Sequence, residues 1–182
     1  TVEIVPILKI KKPEEAKNIT DVSLLHVKYV KKFPRLADAI RLAKKFAKAQ
    51  QVYGAESYIK GFSGYILELL VIEYGSFMKL VQAAAHWKKG MVIGSKAEAK
   101  KLNPSKLSPL IVMDPVQPGR NAAAALSEEK FYDFIMACRT FLKHSSLSFF
   151  DEKPLDIQKL KLLGTTVHLT ATSLPGNRDI AG

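Results

Sequence analysis

The sequence predicts an α+β chain, mainly helical in its centre, with a β piece at each end. Three observations carry that expectation. Apolar residues recur at spacings of three and four across 34–51 and 127–143, the period of a helix face. A further run, Tyr65 to Ile72, is apolar nearly all round and suits a buried helix. Strand-like alternation is confined to short stretches, the longest at Thr1–Ile10 and Thr165–Ala171.

Taken in order, Thr1–Ile10 reads as a strand rich in Val and Ile, with Pro6 arguing for an edge or a bulge. Glu3 faces the side opposite Val2 and Ile4. It is either a surface residue on an edge strand or a carboxylate at the lip of a sheet. Lys11–Asn18 is charged and contains Pro13, so it reads as a loop. Asp21–Lys31 carries His26 and Tyr29 and reads as helical. Pro34 opens a helix reaching Gln51, because proline is tolerated in a first turn. Leu36, Ile40, Ala43, Phe46 and Ala47 share its apolar face, and Arg41, Lys44, Lys45 and Lys48 line the rest. Gln51–Ala55 turns, and Tyr58–Lys60 reads as short and extended.

Ser63 is placed to cap the next helix and Gly75 to end it in the left-handed conformation. Glu68 is the one charge inside that apolar run. It either lies on a wet strip or has a buried cationic partner, with Arg120 and Arg41 as the candidates. Ser76 to about Trp87 gives an amphipathic helix on Phe77, Leu80, Val81 and Ala84. Met91–Ile93 and Leu110–Met113 read as short strands. The basic stretch between them, Gly94–Ser108, reads as a surface loop or hairpin tip. Gln117–Asn121 has turn chemistry, and Ala122–Ala125 is helix-prone. A helix then runs from Ser127 to about Lys143, burying Phe131, Phe134, Ile135, Cys138 and Leu142. Ser145–Pro154 reads as a linker holding Phe149 and Phe150.

Charge narrows the partners. Lys and Arg number 28 against 17 Asp and Glu, a net charge of +11. The excess is clustered, with 13 basic and 5 acidic residues in 9–60 and 6 basic and 1 acidic in 88–106. Two such clusters point to a polyanionic partner rather than to scattered solvating lysines. Cys138 is the only cysteine, so there is neither a disulfide framework nor a paired-Cys metal motif, and a reduced, cytoplasmic setting fits. No stretch is apolar for the ~18 residues that suggest a membrane span. The chain starts at Thr1 inside a strand-like run and stops at Gly182 soon after another, as a fragment of a longer protein would.

Stock catalytic motifs are absent. No Gly-rich phosphate loop of the Lys-Ser/Thr type occurs. Gly61-Phe-Ser-Gly-Tyr65 approaches a nucleophile elbow, but Tyr65 stands where a second glycine belongs. His26, His86, His144 and His168 show no metal-ligand spacing. There remain Glu3, His26, Lys44, Tyr53 and Arg120. Singly, each is most simply a surface residue. Together they offer what a triphosphate site uses: cationic donors, a hydroxyl, and a carboxylate for Mg²⁺.

The stretch Gly61–Phe77 resembles the signature of the archaeal, class I CCA-adding enzymes, which are tRNA nucleotidyltransferases. The likeness continues through Thr1–Pro6, Leu25–Tyr29, Arg41–Lys44, Val52–Glu56, Met113–Val116 with Arg120-Asn121, and Ser146–Phe150. It implies three pieces. Residues 1–17 would end the nucleotidyltransferase palm. Residues 18–150 would form a central helical domain, similar to the second domain of oligoadenylate synthetases. Residues 151–182 would begin the tRNA-binding tail.

It implies an activity as well: template-independent addition of C, C and A to the tRNA 3′ end from CTP and ATP, with Mg²⁺ and release of pyrophosphate. By that likeness Glu3 would be the third metal carboxylate, where the family usually has Asp. His26, Lys44 and Tyr53 would hold the triphosphate, and Arg120 would read the incoming base. The family's other two metal carboxylates have no counterpart in the chain, so it would be inactive alone. Homodimers of the full-length enzyme are also implied. Two rivals stand beside this reading: a non-catalytic RNA-binding module, and a related nucleotidyltransferase of the oligoadenylate-synthetase or poly(A)-polymerase sort.

Overall fold

The computed structural model describes residues 6–152. The strand expected at Thr165–Ala171 lies outside them, as does Glu3. Of the strand expected at Thr1–Ile10, residues 6–10 are described and form no strand, Pro6 having no N–H to give a ladder. The described residues form six α-helices, five short 3-10 turns and two strands. The helices are α1 (Ser23–Val30), α2 (Ala37–Ala49), α3 (Gly64–Tyr74), α4 (Phe77–Ala84), α5 (Lys96–Ala99) and α6 (Glu128–Lys143). The strands are β1 (Met91–Ile93) and β2 (Leu110–Val112).

Helix α3 is the post around which the others pack, lying against α1, α2 and α4. Ser63 Oγ accepts from Ile66 N–H at its start, and Gly75, at φ 77°, ends it. Ile66, Leu67, Leu69, Leu70 and Val71 are buried round most of its circumference. Helix α2 is one-sided, as its spacing predicts: Ile40, Ala43, Phe46 and Ala47 are buried while Arg41, Lys45 and Lys48 are exposed. Phe46 sits at the centre of a ring cluster with Phe77, Phe134, Phe141, Phe149 and Phe150, all with centroids within 6.3 Å.

Four local expectations are corrected. Residues 145–150 are not a free linker: Leu147–Phe150 makes a 3-10 turn, and Phe149 and Phe150 close the aromatic cluster. Phe141, not Leu142, faces the core from α6, because it is the position that meets Phe46 and Phe77. Tyr58–Lys60 is a turn: Ile59 N–H and Lys60 N–H both donate to the Glu56 carbonyl. Ala122–Ala125 turns rather than forming a helix, because the Asn121 side chain accepts the Ala123 N–H and so competes with helical pairing.

The two strands pair in parallel, Met91 opposite Leu110 and Ile93 opposite Val112. A hairpin tip between them is therefore excluded, since parallel strands need a crossover. Residues 94–109 supply it, and α5 lies within it. Ala99, Leu102, Ile111 and Met113 form a small apolar cluster beneath that crossover.

Candidate functional site

Four of the five expected site residues lie among the described residues, and they gather on either side of the N-terminal end of α3. On one side stand Lys44 and Tyr53. Tyr53 is held by a short pairing of two chain segments, in which Phe62 N–H donates to the Val52 carbonyl and Gly54 N–H to the Phe62 carbonyl. A Cβ at Gly61 would overlap the Val52 carbonyl, so this approach requires glycine there. Gly64 leaves open the space into which both side chains reach. A Cβ at Gly64 would stand 2.9 Å from Tyr53 Oη and 3.6 Å from Lys44 Nζ. Lys48 Nζ lies 5.2 Å from the centre of the Tyr53 ring, a cation–π contact.

Lys44 answers the question of Glu68. Its Nζ donates to Glu68 Oε1 at 2.6 Å, with both side chains partly buried. The cationic partner is thus neither Arg41, which pairs with Asp38 on the surface, nor Arg120, which pairs with Asp114. Two helices pack side by side here, and their facing polar positions are Lys44 and Glu68. Both arginines lie on other surfaces.

On the other side, Asp114 is the hub. Its carboxylate is fully enclosed. Oδ2 accepts from Arg120 Nη1 at 2.7 Å. Oδ1 accepts from Tyr65 Oη at 2.9 Å and from the Val116 N–H at 2.9 Å. His26 stacks on the Tyr65 ring at a centroid distance of 3.9 Å and 17° between planes. Its Nε2 stands 3.4 Å from Asp114 Oδ2, and no hydrogen bond closes that gap. Burial pushes the Asp114 carboxyl up, but His26, the Val116 N–H, Arg120 and Tyr65 together outweigh it and hold the pKa at about 2. Burial first, and then the Asp114 charge, raise the Tyr65 phenol, which stays a donor. The carboxylate thus fixes the Arg120 guanidinium through one nitrogen, and its other nitrogens make no hydrogen bond among the described residues.

Both groups belong to one neighbourhood. Gly64 and Tyr65 are consecutive, and Glu68 lies one turn further along the same helix. A cavity of about 580 Å³ runs from Ser63, at the α3 cap, to Arg120, and Lys106, Gln117 and Asn121 also line it. Lys44, Tyr53 and His26 do not line it. The α3 N-terminus, beside which Lys44 and Tyr53 stand, and the Arg120 fork can take an anion and a planar hydrogen-bonding ring. Among the described residues, no group of three or more His, Cys, Asp or Glu side chains is placed to hold a metal ion. No helix among them is long and apolar enough to cross a membrane.

Asp114 and Tyr65 are the residues of this site that sequence reasoning did not place, whereas it singles out Glu68 as an acid in want of a cationic partner but names the wrong ones. Asp114-Pro115 reads as the end of a strand, and Tyr65 as part of an apolar run. The signal that could have found Asp114 is an acid directly after a fully apolar strand, where a carboxylate is enclosed unless the chain turns it outward.

Comparison with known proteins gives one family. The family model described as tRNA nucleotidyltransferase, second domain, matches residues 38–151. Proteins named CCA-adding enzyme match over most of the chain. That of Methanosarcina barkeri is 41% identical over 157 residues, 85% of this chain and 34% of its own length. That of Saccharolobus shibatae is 41% identical over 162 residues, 88% of this chain and 38% of its own. That of Pyrobaculum aerophilum is 44% identical over 154 residues, 82% and 35% respectively. The chain spans about a third of the length of the curated relatives it matches.

Proposed function

The chain belongs to the tRNA nucleotidyltransferase second-domain family, and from that premise we propose that it is the nucleotide-handling part of an enzyme that adds C, C and A to the 3′ end of tRNA. The observation that carries this reading is the Arg120–Asp114 pair, set across one cavity from the α3 N-terminus where Lys44 and Tyr53 converge. The relatives named CCA-adding enzyme favour it over the RNA-binding module and over the other nucleotidyltransferases.

Each residue then has a task. Lys44 and Tyr53, beside the unpaired N–H groups of the first turn of α3, bind the triphosphate of CTP or ATP. His26 adds a ring nitrogen on the same neighbourhood's far side. Arg120 presents its remaining N–H groups to the Watson–Crick edge of the incoming base. So held, the nucleotide offers its α-phosphate to the terminal ribose hydroxyl of the tRNA. The new P–O bond forms as the bond to the β-phosphate breaks, and pyrophosphate leaves.

The metal belongs elsewhere. Divalent ions, Mg²⁺ by the family resemblance, would supply stabilisation of the attacking and leaving oxygens in chemistry of this kind. The described residues do not fit that role, and Glu3, the proposed third carboxylate, lies outside them. What this chain's described residues contribute is binding and orientation. The proposed division places residues 1–17 in the palm, 18–150 in this domain and 151–182 in the tail, with a homodimer in the complete enzyme.

The test uses the complete enzyme with tRNA lacking its CCA end. Arg120→Ala is expected to slow both C and A addition by on the order of 100-fold, the scale for losing a directing hydrogen-bond donor at a reacting centre. Normal C addition would remove the base-reading role. This chain alone is expected to incorporate nothing from CTP and ATP with Mg²⁺, and measurable incorporation would overturn the view that its metal carboxylates lie elsewhere.

A further inference from the structure

The cavity that Arg120 lines contains a second cation, Lys106, which the reading above leaves without a task. It arrives from the β1–β2 crossover and is fastened there by Asn121, the neighbour of Arg120. Asn121 is buried, and its amide is fully used. Oδ1 accepts from Val112 N–H at 2.9 Å and from Ala123 N–H at 3.0 Å. Nδ2 donates to the Lys106 carbonyl at 2.9 Å and to Ser108 Oγ at 3.0 Å. One side chain therefore pins the crossover to the Arg120 turn and fixes the Lys106 backbone beside the cavity.

The Lys106 side chain is exposed, and among the described residues it makes no ion pair or hydrogen bond. No acidic residue lines the cavity, and much of its remaining wall is alanine and glycine. Two cations from separate segments, facing an open and acid-free space with small-residue walls, fit a phosphate and the backbone that carries it. Lys100 and Lys101 precede Lys106 on the same crossover and are also exposed. They add exposed positive charge to that crossover.

We infer that Lys106 is a binding residue for a phosphodiester of the RNA, gripping the strand next to the nucleotide whose base Arg120 reads. This rests on the reading of the chain as part of a tRNA nucleotidyltransferase. A phosphate at Lys106 has two sources, the RNA backbone or the nucleoside triphosphate. Lys44, Tyr53 and the α3 N-terminus already provide for the triphosphate, and the lysines that continue along the crossover suit a chain of phosphates.

The test measures binding of a fluorescent acceptor-stem minihelix that stops before its CCA to the complete enzyme and its variants, across about 50 to 200 mM salt. Lys106→Ala is expected to bind about five- to tenfold more weakly near ~0.1 M salt, with the salt slope reduced by about one. Lys106→Arg and Lys143→Ala, the latter an exposed lysine at the end of α6, should bind like the unaltered enzyme. CTP affinity should be the same in all four proteins. If Lys106→Ala binds the minihelix normally, the inference is wrong and the proposed function stands. If the unaltered complete enzyme does not bind the minihelix, the proposed function itself is overturned. If Lys106→Ala loses CTP rather than RNA, the phosphate is the nucleotide's and the RNA assignment is wrong.

Discussion

The aromatic cluster around Phe46 and the polar cluster around Asp114 are built on opposite terms. Phe46 is wholly buried in the apolar core, where five phenylalanine rings surround it. Asp114 is as deeply enclosed, yet every neighbour it meets through its carboxylate is a donor or a ring nitrogen. The first cluster ties α2, α4, α6 and residues 147–150 into one body. The second ties α1, α3 and the turn after β2, and it keeps an arginine aimed at a cavity. The two regions differ in what a substitution removes: packing in one, orientation in the other.

The sharpest break of that contrast is Phe46→Ala. It should cost about 3–5 kcal/mol, the scale for truncating a buried phenylalanine, and chemical denaturation of the chain checks it. A loss below about 1 kcal/mol would mean the cluster collapses to fill the space.

Asp114→Asn comes next. It keeps the volume and an acceptor but removes the charge that holds Arg120. Since the folded pKa of Asp114 is about 2, below the ordinary 3.8, its ionised form stabilises the fold above the unfolded pKa. That contribution is lost as pH falls through the folded value. A shift of that size is worth about 2 kcal/mol near neutral pH. The stability gap between the unaltered chain and the variant should therefore narrow as pH drops from about 4 towards 2. Phe46→Ala should show no such narrowing. Equal behaviour of the two variants would erase the distinction between the regions.

A smaller effect on stability is expected at the α3 cap, where Ser63→Ala should cost about 1 kcal/mol by losing the acceptor for Ile66 N–H. Gly64→Ala separates stability from function more cleanly. Alanine favours a helix over glycine by up to ~1 kcal/mol, while its methyl would crowd Tyr53 Oη and Lys44 Nζ. Unchanged or slightly raised thermal stability, with weaker CTP and ATP binding by titration calorimetry, is the expected pair of results. Unaltered nucleotide affinity would remove Lys44 and Tyr53 from the triphosphate site.

The same contrast explains what was legible in the sequence. Helix α2 and the buried α3 follow from spacing, because apolar burial repeats with the helix period. The cap Ser63 follows from local chemistry and accepts the Ile66 N–H, and the helix starts read at Ser76 and Ser127 prove to be capped by those serines as well. Phe149 and Phe150 do not follow, since their partners are distant in the chain and no period marks a four-residue turn. Nor does the parallel pairing of β1 and β2, because three-residue strands carry no sign of direction. Lys44, Tyr53, His26 and Arg120 are legible only as expectations from family resemblance. The partners that fix them are not: Glu68 meets Lys44 across 24 residues and Asp114 meets Tyr65 across 49.

The central claim is that the two halves around the α3 N-terminus form one nucleotide site. Competition binding tests it most directly. Labelled CTP is bound to the chain and displaced by unlabelled ATP, with the unaltered chain, Lys44→Ala and Arg120→Ala compared. One site predicts full displacement of CTP by ATP, and weaker binding of both nucleotides in each variant. Independent binding of CTP and ATP, or loss of one nucleotide in Lys44→Ala and of the other in Arg120→Ala, would contradict it.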